Sequence, residues 1–142
     1  MTRISTRKSI DDVRQYWDAR PCNIRHSPKP VGSREYFDEV EARKYFVEPH
    51  IPAFAEFERW AGKRVLEVGC GIGTDSINFA RAGAQLTAVD LSSESLRIAE
   101  QRADVMGVAD NIRFVQANAA CHMPCPLHAL QATLHQQLIN DN

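Results

Sequence analysis

The 142-residue sequence lacks any apolar run approaching the roughly 20 residues that a membrane-spanning helix requires. It also lacks an excess of either charge. A formal net charge of -1 provides no long-range field to gather nucleic acid or an anionic membrane surface. No internal repeat and no low-complexity tract is present, which excludes a solenoid or a fibrous chain. The basic stretch from Met1 to Ser9 has no apolar core, so it does not read as a secretory signal. A frayed terminus is expected there in preference to a transit peptide. Cysteine is sparse: Cys22, Cys70, Cys121 and Cys125. With no sign of export, and 44% hydrophobic residues to build a core, the thiols are expected reduced and the chain cytoplasmic. What remains, at 25% charged residues, is the composition of an ordinary globular domain.

The first sixty residues read as helical. Ser9 caps a short helix in which Ile10, Val13 and Trp17 fall at helical spacing, and Asp11 and Asp12 suit the positive end of its dipole. Pro21, Pro28, Pro30 and Gly32 make residues 20–32 an irregular loop. Ser33 opens a second helix reaching about Val47 and burying Phe37, Val40 and Tyr45. A third, short helix is predicted to set Phe54, Phe57 and Trp60 near one face and to end at Gly62.

The pattern changes at Lys63. Residues 64–68 are branched and mostly apolar, as a buried parallel strand should be. A glycine-rich turn, 69–73, leads into a helix that begins at a capping Thr74, turns Ile77 and Ala80 inward and stops before Gly83. A second strand, 85–89, closes on Asp90. Ser92 or Ser93 caps a longer helix striped with Leu96, Ala99, Ala103 and Met106 and stopped by Gly107, and a third strand covers 112–116. Strand, helix, strand, helix, strand is the α/β doubly wound pattern. The expected organisation is a helical cap segment over 1–62, a Rossmann-like half domain of about three parallel strands over 63–120, and an atypical tail over 121–142.

Gly69, Cys70, Gly71, Ile72 and Gly73 sit between a predicted strand and a predicted helix. Glycines in that context permit positive φ and let a ligand approach the backbone. Asp90 ends the next strand about 20 residues later, where a carboxylate accepts both ribose hydroxyls of an adenosine. The dinucleotide fingerprint G-x-G-x-x-G is not met, because its third glycine is replaced by Thr74 and a glycine arrives early at Gly73. Glu67, two residues before the loop, would repel phosphates and suits a ligand bearing positive charge. Both features lower an NAD-binding oxidoreductase to an alternative.

The run from Glu67 to Gly73, followed by Ala88, Val89, Asp90, Leu91 and Ser92, resembles motifs I and II of class I S-adenosylmethionine-dependent methyltransferases. The resemblance covers roughly residues 63–119. It implies that Gly69, Gly71 and Gly73 run past the methionine and ribose of the cofactor, that Asp90 binds the ribose hydroxyls, and that Leu91 flanks the adenine. Asn118 and Ala119 stand where the family usually has Asp and a small residue, and the Asn118 carbonyl can still accept the adenine N6 proton. The chemistry implied is in-line displacement at the sulfonium methyl, which calls for positioning and desolvation more than for a strong acid or base. No catalytic residue is assigned. The expected acceptor is a small molecule, with no nucleic acid and no membrane as partner.

The resemblance stops after Ala120, and the tail lacks the fourth strand expected of the family. In a 3-2-1-4 order that absence makes 65–68 an apolar edge. Three outcomes are expected: a helix at 127–139 covers the edge, a second copy does, or the product is truncated. Cys121, His122, Cys125 and His128 have zinc-like gaps but no partner cluster, so they are taken as incidental and no metal is expected. Tyr16, Trp17 and, with Arg25, His26 are candidates for the acceptor pocket, against a plainer role in packing or solvation. A non-catalytic module that binds S-adenosylmethionine or S-adenosylhomocysteine remains the rival from another class.

Overall fold

The computed structural model describes residues 8–119; the tail readings at 121–142 lie outside them. The elements run α1 (Ile10–Ala19), α2 (Arg34–Val47), α3 (His50–Ala55), a 3-10 turn (Phe57–Trp60), β1 (Arg64–Val68), α4 (Thr74–Arg81), β2 (Gln85–Asp90), α5 (Ser93–Met106), a second 3-10 turn (Ala109–Asn111) and β3 (Ile112–Gln116). The three strands are parallel in the order β1-β2-β3, with Val65 opposite Leu86 and Leu86 opposite Ile112. This is the expected Rossmann-like doubly wound half-sheet. Both crossovers step the same way across the sheet, so α4 and α5 lie on one face and pack together, with α2 across them.

Two apolar clusters hold these layers. Leu86, Ala88, Cys70 and Leu96, with Phe79 and Phe114 against them, join the sheet to its helices. Tyr36, Phe37, Val40, Ile72 and Ile98 join α2 to α5. The helix starts follow the sequence where serine caps are present. Ser9 and Asp12 form a reciprocal capping box, Ser33 accepts from the Tyr36 N–H, and Ser92 accepts from the Ser95 N–H. Among the described residues β1 is an edge strand, and Val68 at its end is 58% exposed.

Three expectations are corrected. Thr74 does not cap α4: Gly73, at φ +78°, is the cap residue, and the buried Thr74 hydroxyl turns inward to accept from Arg102 Nη1 at 2.7 Å. The predicted third helix is broken at Glu56, which is left-handed at φ +47°. Phe54 therefore points to solvent, whereas Phe57 packs edge-on to Phe79 at 4.8 Å and Trp60 Nε1 donates to the Ala55 carbonyl. Finally, α1 buries none of its residues despite its regular apolar spacing.

Candidate functional site

The turn between β1 and α4 is built from left-handed glycines. Gly69, Gly71 and Gly73 have φ of +77°, +55° and +78°, a conformation that costs an L side chain about 1 kcal/mol each. Their surroundings differ. A Cβ on Gly69 or Gly71 would meet open space, so these two keep the loop backbone bare on its outer side. On Gly73 it would come 3.0 Å from the Ala99 Cβ, so this glycine sets the close approach of the loop to α5. The N–H groups of Gly69 and Cys70 both reach the Val89 carbonyl, at 2.7 and 3.1 Å, which clamps the loop to the end of β2.

Asp90, the last residue of β2, completes the clamp. Its Oδ2 accepts from the Gly71 N–H at 2.8 Å and its Oδ1 from the Ser92 N–H at 2.9 Å. A carboxylate has roughly four acceptor positions, so each oxygen keeps one for a further donor. The carboxylate is thus fixed in orientation by two backbone groups and still able to take a pair of hydroxyls.

The bare glycines and Asp90 open onto a cavity of about 500 Å³, within the range of sites for cofactors. Leu91 continues the wall beyond Asp90, and Asn118 and Ala119 close it beyond β3. Val68 and Val89 form an apolar floor, and Val13, Trp17 and Cys22 from the N-terminal segment stand on the opposite side. The structure therefore brings Gly69, Gly71, Asp90, Leu91, Asn118, Ala119 and Trp17 to one cavity.

The remaining candidates are placed elsewhere. Glu67 lies beneath the loop and accepts from Ser76 Oγ at 2.5 Å. Burial, opposed by that bond and aided by the charges of Asp75 and Asp90, pushes its carboxyl up to about 7, with Lys44 working the other way. Cys70 is a core residue whose thiol is raised well above its ordinary range, chiefly by burial. Gly73 packs on α5. Tyr16 is not in the wall; it stands edge-on to Trp17 at 5.2 Å with the Arg20 guanidinium over its ring. His26 lines a separate hollow of about 280 Å³ within its own loop, beside Arg25 and Asn23. No group of three or more His, Cys, Asp or Glu among the described residues is placed to hold a metal.

Sequence reasoning missed the polar network that anchors this loop from behind. Lys44 Nζ pairs with Asp75 Oδ2 at 2.5 Å, Tyr45 donates to Asp75 Oδ1 at 2.9 Å, and Asn78 donates to the Tyr45 hydroxyl. Buried Arg102 ties Thr74 to the Phe37 carbonyl and Glu41, with its guanidinium over the Phe37 ring. Cys22 and Val13 were also missed as wall residues; the helical spacing of Val13 and Trp17 was the available signal.

The family described as "Methyltransferase domain" matches residues 65–139, just over half of the chain. A ubiquinone biosynthesis O-methyltransferase from Actinobacillus pleuropneumoniae is 43% identical over 67 residues, covering 43% of this chain and 29% of that protein. The protein of the same name from Ralstonia nicotianae is 46% identical over 59 residues, covering 42% and 25%. The chain thus spans less than a third of the length of these curated relatives. Among solved structures, the fold is similar to geranyl diphosphate C-methyltransferase from Streptomyces coelicolor, solved with S-adenosyl-L-homocysteine, at TM-score 0.52 and 20% identity over 77% of this chain and 47% of that one. It is equally similar to the cyclase SpnF, at TM-score 0.52 and 21% identity over 84% and 46%.

Proposed function

The chain belongs to the methyltransferase-domain family, and from that premise we propose that it binds S-adenosylmethionine in the cavity above the glycine loop and methylates a small-molecule acceptor. The observation that carries the reading is Asp90. Its carboxylate is oriented by Gly71 and Ser92 and keeps two acceptor positions on the cavity side, which suits a ribose diol. Gly69 and Gly71 leave room for the ligand chain to lie against backbone. Leu91 offers an apolar surface to the adenine, and Asn118 with Ala119 stands at the end of the cavity where its polar edge would lie. Glu67, beneath the loop, supplies negative charge near the methionine end once ionised.

When bound, S-adenosylmethionine would supply an electrophilic methyl on a sulfonium, and the bare backbone at Gly69 and Gly71, with Asp90 and Leu91, would hold it. The chain's own residues orient and dry the site. Val68, Val89 and Trp17 exclude water, and the glycine loop fixes the ligand by backbone contacts. Among the described residues none is assigned as a base. In this reading 1–62 is the cap segment, from which Val13, Trp17 and Cys22 reach the cavity, and 63–120 is the binding half. The edge that β1 presents among the described residues suits coverage by a second copy of the chain. No helix among the described residues is long and apolar enough to cross a membrane; a cytoplasmic location is part of the proposal.

The test is a thermal shift with S-adenosylhomocysteine, with NADH and methyl-transfer assays beside it. Ligand at a hundredfold over its dissociation constant adds about 2.7 kcal/mol of stability. Binding without turnover on any acceptor supports the non-catalytic module. A shift with NADH and none with S-adenosylhomocysteine overturns the assignment in favour of an oxidoreductase.

A further inference from the structure

Helix α1 stands over the cavity without belonging to the core. None of its residues is buried, and Tyr16 and Trp17 remain 48% and 41% exposed. Yet Val13 and Trp17, one turn apart, form a wall of the cavity. Some other interaction must hold a helix so placed, and the structure provides it next to Trp17. Asp18 Oδ1 accepts from Ser92 Oγ at 2.8 Å, from the Glu94 N–H at 3.2 Å and from Ser93 Oγ at 3.4 Å. These donors are the first groups of α5, where a helix dipole favours a carboxylate.

The joint is shared with the site. Ser92 is fully buried and, besides its carbonyl's bond to the Leu96 N–H, makes three hydrogen bonds of different purpose. Its N–H donates to Asp90 Oδ1 at 2.9 Å, its hydroxyl donates to Asp18, and its Oγ accepts from the Ser95 N–H at 3.0 Å to cap α5. Asp90 and Asp18 are therefore two carboxylates gripping opposite sides of one residue. Ser92 thus links the Asp90 carboxylate to α1. Burial pushes the Asp18 carboxyl up, but the bonds from Ser92, Glu94 and Ser93, with Arg14 nearby, outweigh it and leave the group below its ordinary value. Asp18 is thus charged under ordinary conditions.

We propose that Asp18 is a positioning residue, a latch that holds α1 to the start of α5 and so sets Trp17 against the adenosyl end of the bound cofactor. The inference rests on the cofactor reading above. The latch is bonded through one side chain to the α5 start and the wall it carries is half-exposed, so a ligand can enter or leave by releasing α1 without disturbing the sheet. The filled cavity in turn gives Val13 and Trp17 an apolar surface to cover. Latch strength then governs how long the ligand stays more than how fast it arrives.

The experiment uses the full chain with Trp60→Phe, which leaves Trp17 as the sole tryptophan of the two. Asp18→Ala and the more conservative Asp18→Asn are compared with this parent. Acrylamide quenching of Trp17 is read without ligand, and dissociation of S-adenosylhomocysteine by stopped flow. In Asp18→Ala, quenching should rise about twofold and dissociation should quicken about tenfold, with association little changed, equivalent to about 1.4 kcal/mol. Asp18→Asn should fall between, because the amide oxygen still accepts while the charge is gone. Unchanged quenching and dissociation in a cooperatively folded variant overturn the latch. A lower melting temperature without greater exposure of Trp17 also overturns it, in favour of a merely structural role. If the parent binds no S-adenosylhomocysteine, the cofactor reading fails and the positioning role with it. Quenching still reports separately whether Asp18 fastens α1. If Asp18→Ala does not fold, Asp18→Asn decides by the same two readouts.

Discussion

The two walls of the cavity are held by different forces. The glycine loop is clamped to the end of β2 by backbone bonds to Val89 and by Asp90, and a Cβ on Gly73 would press on Ala99 of α5. Behind it Arg102 and the Lys44–Asp75 pair fix the start of α4. The opposite wall, α1, has no buried residue and is fastened through Asp18. A ligand that must be bound tightly and then exchanged needs one wall that does not yield and one that can. Local stability within a fold ranges from near zero to the global value, and thinly buried elements lie at the low end.

The comparison breaks hardest at Arg102. Its guanidinium is fully buried and bonded to Thr74, the Phe37 carbonyl and Glu41. Arg102→Ala removes the stem packing and leaves Thr74 and Phe37 short of donors. A loss of about 3 kcal/mol in chemical denaturation is expected, the cost of breaking a buried charged network from one side. An effect under about 1 kcal/mol would show that the fixed wall does not depend on it.

Asp90→Ala is next. The variant gives up the proposed ribose contacts as well as the bonds to Gly71 and Ser92. Most of the roughly 2.7 kcal/mol that a hundredfold excess of S-adenosylhomocysteine gives the wild type should vanish, as read by thermal shift. A full shift in Asp90→Ala would remove Asp90 from the binding site.

Glu67 gives a pH-dependent effect with a definite sign. Its folded carboxyl titrates at about 7 against an ordinary value of 4.5, because it is buried. The folded protein therefore holds a proton that the unfolded chain has released, and stability falls as pH rises from about 4.5 through about 7. The change is at most about 3 kcal/mol, the full shift of the carboxyl. Glu67→Gln should flatten that slope in denaturation series across this window. A ligand with positive charge favours the ionised form, so S-adenosylmethionine should bind with proton release below about pH 7 in the wild type and without it in Glu67→Gln.

The fixed wall was also the legible one. Alternation of branched strands with capped helices, and glycines flanked by Asp90, specify the half-sheet and the loop, because local chemistry and tertiary structure agree there. Thr74 misled because a capping residue type stands one position inside a helix that glycine geometry had already started. Arg102 left no signal, since arginine is almost never fully buried and its partners come from two other helices. For α1, the spacing of Ile10, Val13 and Trp17 describes an apolar stripe equally well whether the stripe packs on a core or overhangs a cavity. Which of the two holds is decided by what lies beneath it, and that is set by residues some seventy positions away.

Trp17→Ala gives the smallest expected effect and separates the two walls most cleanly. Because Trp17 is 41% exposed and belongs to neither core cluster, the free protein should lose at most about 0.5 kcal/mol, within the range of surface substitutions. Binding should suffer more, because the indole is lost from the cavity wall. Roughly tenfold weaker S-adenosylhomocysteine binding by calorimetry is expected, about 1.4 kcal/mol. The same truncation at Leu96, which is buried in the fixed wall, should reverse the order, costing about 3 kcal/mol of folding. If Trp17→Ala destabilised the free protein as much as Leu96→Ala, α1 would be a core helix and the cavity would have two fixed walls.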